Sequence, residues 1–134
     1  MLTVTAFDHI VLNVRDVETS AAWYEEVLGM ERKVSRHSSV GESRTSMVFG
    51  RNKINLRPTA ASQESWFTAD TPAAGSADLC FLTEADPNAV MKHFYRCNVP
   101  IVTGPVTKQG ALGPICSVYV RDPDGNLIEV SSYG

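Results

Sequence analysis

A chain of 134 residues, 43% hydrophobic and 20% charged, has the size and composition of one soluble globular domain with a sizeable core. Its formal net charge of −3 and pI near 5.5 leave no basic excess, which argues against nucleic-acid binding and against a polybasic membrane patch. No stretch approaches the roughly 18 apolar residues of a membrane span, and the opening residues lack a cationic segment followed by an apolar one, so the expected location is cytoplasmic.

Phe7 to Val14 reads as a strand. Asp16 then offers an N-cap, Val17, Ala21, Tyr24 and Leu28 recur at helical spacing, and Gly29 supplies the stop. Met30 to His37, Ser43 to Phe49 and Lys53 to Pro58 are short strand-like runs, broken by Gly41 and by Gly50-Arg51-Asn52. The first half, residues 6–58, is therefore β-α-β-β-β.

Residues 59–75 are rich in Ala, Ser, Thr and Pro without sustained periodicity and read as a connection, with Trp66-Phe67 tucked onto a surface. Residues 76–133 then repeat the order. Ala77 to Thr83 is a strand, Asp86-Pro87 an N-cap and first helical position, and Val90, Met91, Phe94, Tyr95 and Cys97 an apolar stripe ending near Asn98. Ile101-Val102, Cys116 to Arg121 and Leu127 to Ser131 complete the strands. Gly104 to Pro114 reads as a surface loop, or as a lid hinged on its glycines.

Laid over each other, His9-Ile10-Val11-Leu12 falls on Asp78-Leu79-Cys80-Phe81, and Asn52 to Leu56 falls on Asn126 to Val130. Polar residues meet polar residues, so the same unit occurs twice. The expected fold is α+β, two βαβββ modules forming a cupped mixed sheet in one domain.

Asp122-Pro-Asp-Gly-Asn126 carries Pro, Gly, Asp and Asn, the residues of a tight reversal. The strand after it contains Glu129, a carboxylate where an apolar residue is expected. Strand parity puts His9, Asn55, Asp78 and Glu129 on the helix-free faces. Gathered at one centre, these would offer an imidazole, two carboxylates and an amide to one cation. That oxygen-rich set suits Mn, Fe, Mg, Ni or Co better than a closed tetrahedral zinc site. Lys53 and Arg57 share the parity of Asn55, and either line the same concavity to meet an anionic group or are solvated strand ends. Tyr119 and Arg121 approach the same place, or Arg121 pairs with Asp122 or Asp124. Cys80, Cys97 and Cys116 are odd in number, lack Cys-x-x-Cys spacing and lie in apolar segments, which favours buried thiols.

Asp8-His9-Ile-Val-Leu-Asn-Val with Trp23-Tyr24-x-x-Val-Leu-Gly-Met30, and Arg121-Asp-Pro-Asp-Gly-Asn-Leu-Ile-Glu129, resemble the vicinal oxygen chelate superfamily, the glyoxalase, bleomycin-resistance and extradiol-dioxygenase group. Gly75 to Cys80 and Gly104 to Ile115 look nearest to its glyoxalase-domain-containing, virulence-protein branch. The resemblance implies His9 and Glu129 as metal ligands, Asp78 where metalloenzymes of the group have a second histidine, and Asn55 where glyoxalase I has a glutamate. It also implies a divalent cofactor (Ni, Mn, Fe, Co or Zn), Glu129 as acid or base, and a homodimer; Asn55, Arg57, Lys53, Tyr119 and Arg121 are the candidate substrate contacts by strand position. The implied activity is a glyoxalase-like lyase acting on a small metabolite. A metal-free antibiotic-binding protein and an extradiol-type dioxygenase are the alternatives.

Overall fold

The computed structural model of the chain describes residues 1–37 and 42–134; Gly41 and the side chain of His37 lie outside that description. The chain divides into two compact units, Met1–Ala74 and Gly75–Gly134. Each is an α+β module in which one helix covers one face of a four-stranded mixed sheet.

Unit one runs β1 (His9–Val14), α1 (Val17–Leu28), β2 (Glu31–His37), β3 (Glu42–Phe49) and β4 (Asn52–Pro58). The sheet order is β1-β4-β3-β2, with β1 and β4 parallel and the other pairs antiparallel. The first strand begins at His9 rather than Phe7, because the carbonyls of Phe7 and Asp8 accept from the Asn52 side chain (3.0 and 3.2 Å) instead of joining the ladder. Helix α1 starts where the Asp16 carboxylate accepts from the Thr19 amide at 2.8 Å. It stops where Gly29, at φ 67°, takes the left-handed conformation that glycine adopts without steric cost. Its buried Ala21, Tyr24 and Val27 complete a core with Leu12, Val14, Met47, Ile54 and Leu56.

The connection after β4 packs on unit one. Trp66 is buried under the Arg44 guanidinium, 4.1 Å from the ring centroid, whereas Phe67, expected beside it, is 86% exposed. Arg57 holds this stretch. Its Nε donates to the Trp66 carbonyl (3.1 Å), one terminal nitrogen to Asn13 Oδ1 (2.7 Å) and the other to the Ala61 carbonyl (2.7 Å).

Unit two repeats the plan: β5 (Asp78–Leu82), α2 (Pro87–Arg96), β6 (Thr103–Gly110), β7 (Gly113–Arg121) and β8 (Leu127–Ser132), in sheet order β5-β8-β7-β6. The repeat extends to register. His9↔Lys53 and Val11↔Asn55 in β1/β4 recur as Asp78↔Leu127 and Cys80↔Glu129 in β5/β8. Asp86 caps α2 by accepting from the Ala89 amide (2.9 Å), and Val90 and Phe94 are buried. Tyr95, expected in the apolar stripe, is 63% exposed, since one step of about 100° past Phe94 turns it toward solvent.

Most of the expected Gly104–Pro114 loop is strand, and Ile101-Val102 is not. Residues 103–110 form β6, paired antiparallel with β7 and closed by a reversal at residues 111–112. Gly104, at φ 121°, admits the close approach: a Cβ there would lie 2.6 Å from the Ser117 carbonyl oxygen. Pro105, which has no N–H to give, is tolerated because β6 is the edge strand. The tip is fastened by Tyr133, whose hydroxyl accepts from the Leu112 amide at 3.0 Å.

The reversal before β8 closes on itself. Asp122 Oδ1 accepts from the amides of Asp124 and Asn126 (2.9 Å each), and Oδ2 accepts from Asn126 Nδ2 (2.8 Å). Asn126 Oδ1 in turn accepts from the Ala77 amide at 2.9 Å, fixing the start of β5. Among the described residues, no helix is long and apolar enough to cross a membrane.

Candidate functional site

In unit two, alternation along four paired strands gives the helix-free face Asp78, Cys80 and Leu82 from β5, Glu129 and Ser131 from β8, Ser117 and Tyr119 from β7, and Lys108 from β6. The opposite parity, with Val118, Val120 and Ile128 buried, packs under α2. An unbranched anionic side chain in the middle of a strand is thus accommodated on the polar side of an otherwise apolar sheet.

Glu129 is held rather than loose. Ser117 Oγ donates to Glu129 Oε2 at 2.6 Å, and Ser131 Oγ lies 2.7 Å from the Ser117 hydroxyl and 3.3 Å from the same carboxylate oxygen. Both serines are buried, at 0% and 1% exposure. Such charge-assisted bonds in a dry setting orient a carboxylate and engage one of its two oxygens. Strand parity already puts Ser131 on the face of Glu129, whereas Ser117 escaped the sequence reading, although it sits two positions from Tyr119 in the same strand and parity.

Tyr119 is paired with Glu129 across β7 and β8. Burial first, then the hydrogen bond and negative charge of Glu129, with Asp78 adding further charge, push the phenol up to about 12. The Cys80 thiol lies 3.4 Å from Ser131 Oγ, and its pKa is likewise raised by burial and by the charges of Glu129 and Asp78, against a lowering contribution from Ser131. The expectation of buried thiols fails: Cys80 is exposed and Cys97 and Cys116 are intermediate, and none of the three is in a disulfide. For Cys80 the cause is parity, since Leu79 and Phe81, not Cys80, lie on the helix side.

A cavity of about 480 Å³ opens on this face. Glu129, Tyr119, Cys80, Lys108, Gln109 and Tyr133 line its polar part; Leu82 and Ile115 contribute an apolar wall. Lys108 Nζ stands 5.8 Å from the Tyr119 ring centroid. Reading residues 104–114 as a loop concealed this lysine, which strand parity would otherwise have placed. Arg121, also expected here, has a terminal nitrogen donating to the Gly125 carbonyl (3.3 Å), so it contributes to the turn.

In unit one the corresponding face carries His9, Lys53 and Asn55. His9 is exposed, with Nδ1 2.8 Å from Asp8 Oδ1. Asn55 Oδ1 accepts from Ser46 Oγ at 2.7 Å. Arg57, expected to offer its charge to a substrate, is instead fully buried and engaged with the connection, because four backbone and side-chain acceptors converge on its guanidinium.

Among the described residues, no group of three or more His, Cys, Asp or Glu side chains is gathered closely enough to hold a metal ion. The donor chemistry of single residues does fit one. A histidine whose Nδ1 faces a carboxylate presents Nε2 in the manner of metal-ligating imidazoles, and Glu129 is a carboxylate held in place through Oε2.

A family model described as the Glyoxalase/Bleomycin resistance protein/Dioxygenase superfamily matches residues 6–130. Virulence protein STM3117 of Salmonella typhimurium is 42% identical over 134 residues, covering 98% of this chain and 87% of that protein. Its crystal structure superposes with a TM-score of 0.89, at 41% identity over 99% of this chain and 100% of that one. The glyoxalase domain-containing protein RDO1 of Mycosarcoma maydis is 39% identical over 132 residues, covering 98% of this chain and 70% of that protein.

Proposed function

This chain belongs to the glyoxalase/bleomycin resistance protein/dioxygenase superfamily, and from that premise we propose that it is a metal-dependent lyase or isomerase acting on a small metabolite with two neighbouring oxygens. The observation that carries the reading is the Glu129 carboxylate, fixed through one oxygen by two buried serines and facing an open cavity. His9 and Glu129 are, each by itself, candidate ligands for a divalent cation, with Asp78 on the face of Glu129; among the described residues no three such groups stand together. When bound, that cation supplies Lewis-acid polarisation of the substrate oxygens.

The chain's own groups supply the rest. Glu129 takes a proton from the carbon next to a substrate carbonyl and returns it to the neighbouring carbon, since it lines the cavity while the serines keep it from rotating away. Tyr119, whose phenol stays protonated up to about pH 12, donates a hydrogen bond and never competes as a base. A homodimer goes with this reading, supported by the exposed apolar side chains Met1, Leu2, Val4 and Phe7.

A second reading, a metal-free small-molecule-binding protein, is favoured by Asn55 and Asp78, an amide and a carboxylate where the superfamily resemblance implies a glutamate and a histidine. The test is the metal content of protein purified without chelator, with Mn²⁺ titrations of wild type, His9→Ala and Glu129→Ala. The expected result is near-stoichiometric divalent metal, with affinity reduced about 100-fold or more in each variant. Metal-free wild type whose weak Mn²⁺ binding is unchanged in both variants would overturn the metal-dependent reading in favour of the second.

A further inference from the structure

Lys108 is a cation of this face that the proposed reaction does not use. It stands on the edge strand β6, on the same side of the sheet as Glu129, with Tyr119 between: the lysine nitrogen lies 5.8 Å from the phenol ring centroid, and Glu129 is the cross-strand partner of that tyrosine. The carboxylate that does the chemistry and the ammonium group both line the same cavity of about 480 Å³, so a small molecule in it meets both. Leu82 and Ile115 add apolar surface to the same cavity.

We propose that this cavity selects a small monocarboxylate, its carboxylate bound by Lys108 and its apolar part lying against Leu82 and Ile115. The inference rests on the reading of Glu129 as the group that works on substrate. Charge matching decides between anions. One ammonium balances one carboxylate, whereas the second charge of a phosphate monoester would face Glu129 across the cavity, with Asp78 on the same side of the sheet. Lys108 acts as a specificity residue: it binds a part of the substrate that does not react, and so sets affinity and orientation rather than the proton transfer.

The test uses the full chain and matched pairs of probes, lactate with lactamide, pyruvate with pyruvamide and mandelate with mandelamide, together with inorganic phosphate. Binding is followed by ligand-observed NMR and calorimetry in wild type, Lys108→Gln and Lys108→Arg, and Mn²⁺ affinity is measured separately in each. In at least one pair the carboxylate should bind about tenfold or more tightly than its amide. Lys108→Gln should remove that preference, Lys108→Arg should keep it, and Mn²⁺ affinity should stay within about twofold. Equal binding of acid and amide in every pair, an acid preference that survives Lys108→Gln, or tighter Lys108-dependent binding of phosphate would each overturn the proposal. A protein that binds no Mn²⁺ yet shows the Lys108-dependent preference would defeat the metal-dependent reading and leave this one standing.

Discussion

At the position where unit two carries Glu129, unit one carries Asn55, and both accept a hydrogen bond from a serine of the neighbouring strand, Ser46 in one and Ser117 in the other. Two residues further along, Ser131 of unit two, part of the network around the carboxylate, matches Arg57 of unit one, which ties down the connection. One backbone plan has thus been put to two uses. In unit one the polar face is largely committed to structure; in unit two it is turned toward a cavity. A repeated fold does not by itself repeat chemistry, and the difference resides in a few side chains of identical strand parity.

The largest expected effect breaks the comparison on the structural side. Arg57→Ala removes donors from the Asn13 side chain and the Trp66 and Ala61 carbonyls and leaves a cavity, which should cost about 3 kcal/mol or more of stability. Ser131→Ala, at the matching place, should cost about 1 kcal/mol. Urea denaturation of both variants checks this; equal losses would mean that the two positions are not used differently.

A smaller effect sharpens the chemical side. Ser117→Ala frees the Glu129 carboxylate and should weaken Mn²⁺ binding about tenfold, as loss of an outer-shell partner does, whereas Ser46→Ala should leave it within about twofold. Calorimetric titration separates the two, and similar losses would make the serine in unit one as important as its counterpart.

The smallest effect is at alkaline pH. The folded-state phenol of Tyr119 is raised above its ordinary value of 10.0 to about 12. Between those values the unfolded chain has released the proton and the folded chain keeps it, so stability is full below pH 10 and falls as pH rises toward 12. Tyr119→Phe should remove this part of the alkaline loss in melting temperatures taken from pH 9 to 12. An unchanged profile would place the phenol outside the influence of burial and of Glu129.

The duplication, both helices with their Asp caps and the turn before β8 were all legible, because caps, glycine stops and paired Asp and Asn residues act over a few positions. Register was legible too, since Asn55 and Glu129 fall at matching places in repeated motifs. The strand β6 was not. Its Gly104, Pro105 and Gly110 have every local mark of a loop, and only pairing with a strand further along the chain makes them a ladder. The burial of Arg57 was hidden for the same reason: its acceptors are main-chain carbonyls of the following connection, which no pattern of side chains announces. Membership of the superfamily was carried by the motifs at the two ends of the chain and is shown by the match over residues 6–130.

The reversal at Asp122 to Asn126 has one more consequence. Its carboxylate and carboxamide answer each other and the neighbouring amides before any ligand arrives. The strand β8 that follows it is therefore already aimed before a ligand binds, and a molecule entering the cavity has little chain entropy to quench there. Selectivity at this place should come from rigid fit, as in a lock cut beforehand, and structures with and without ligand should coincide along β8.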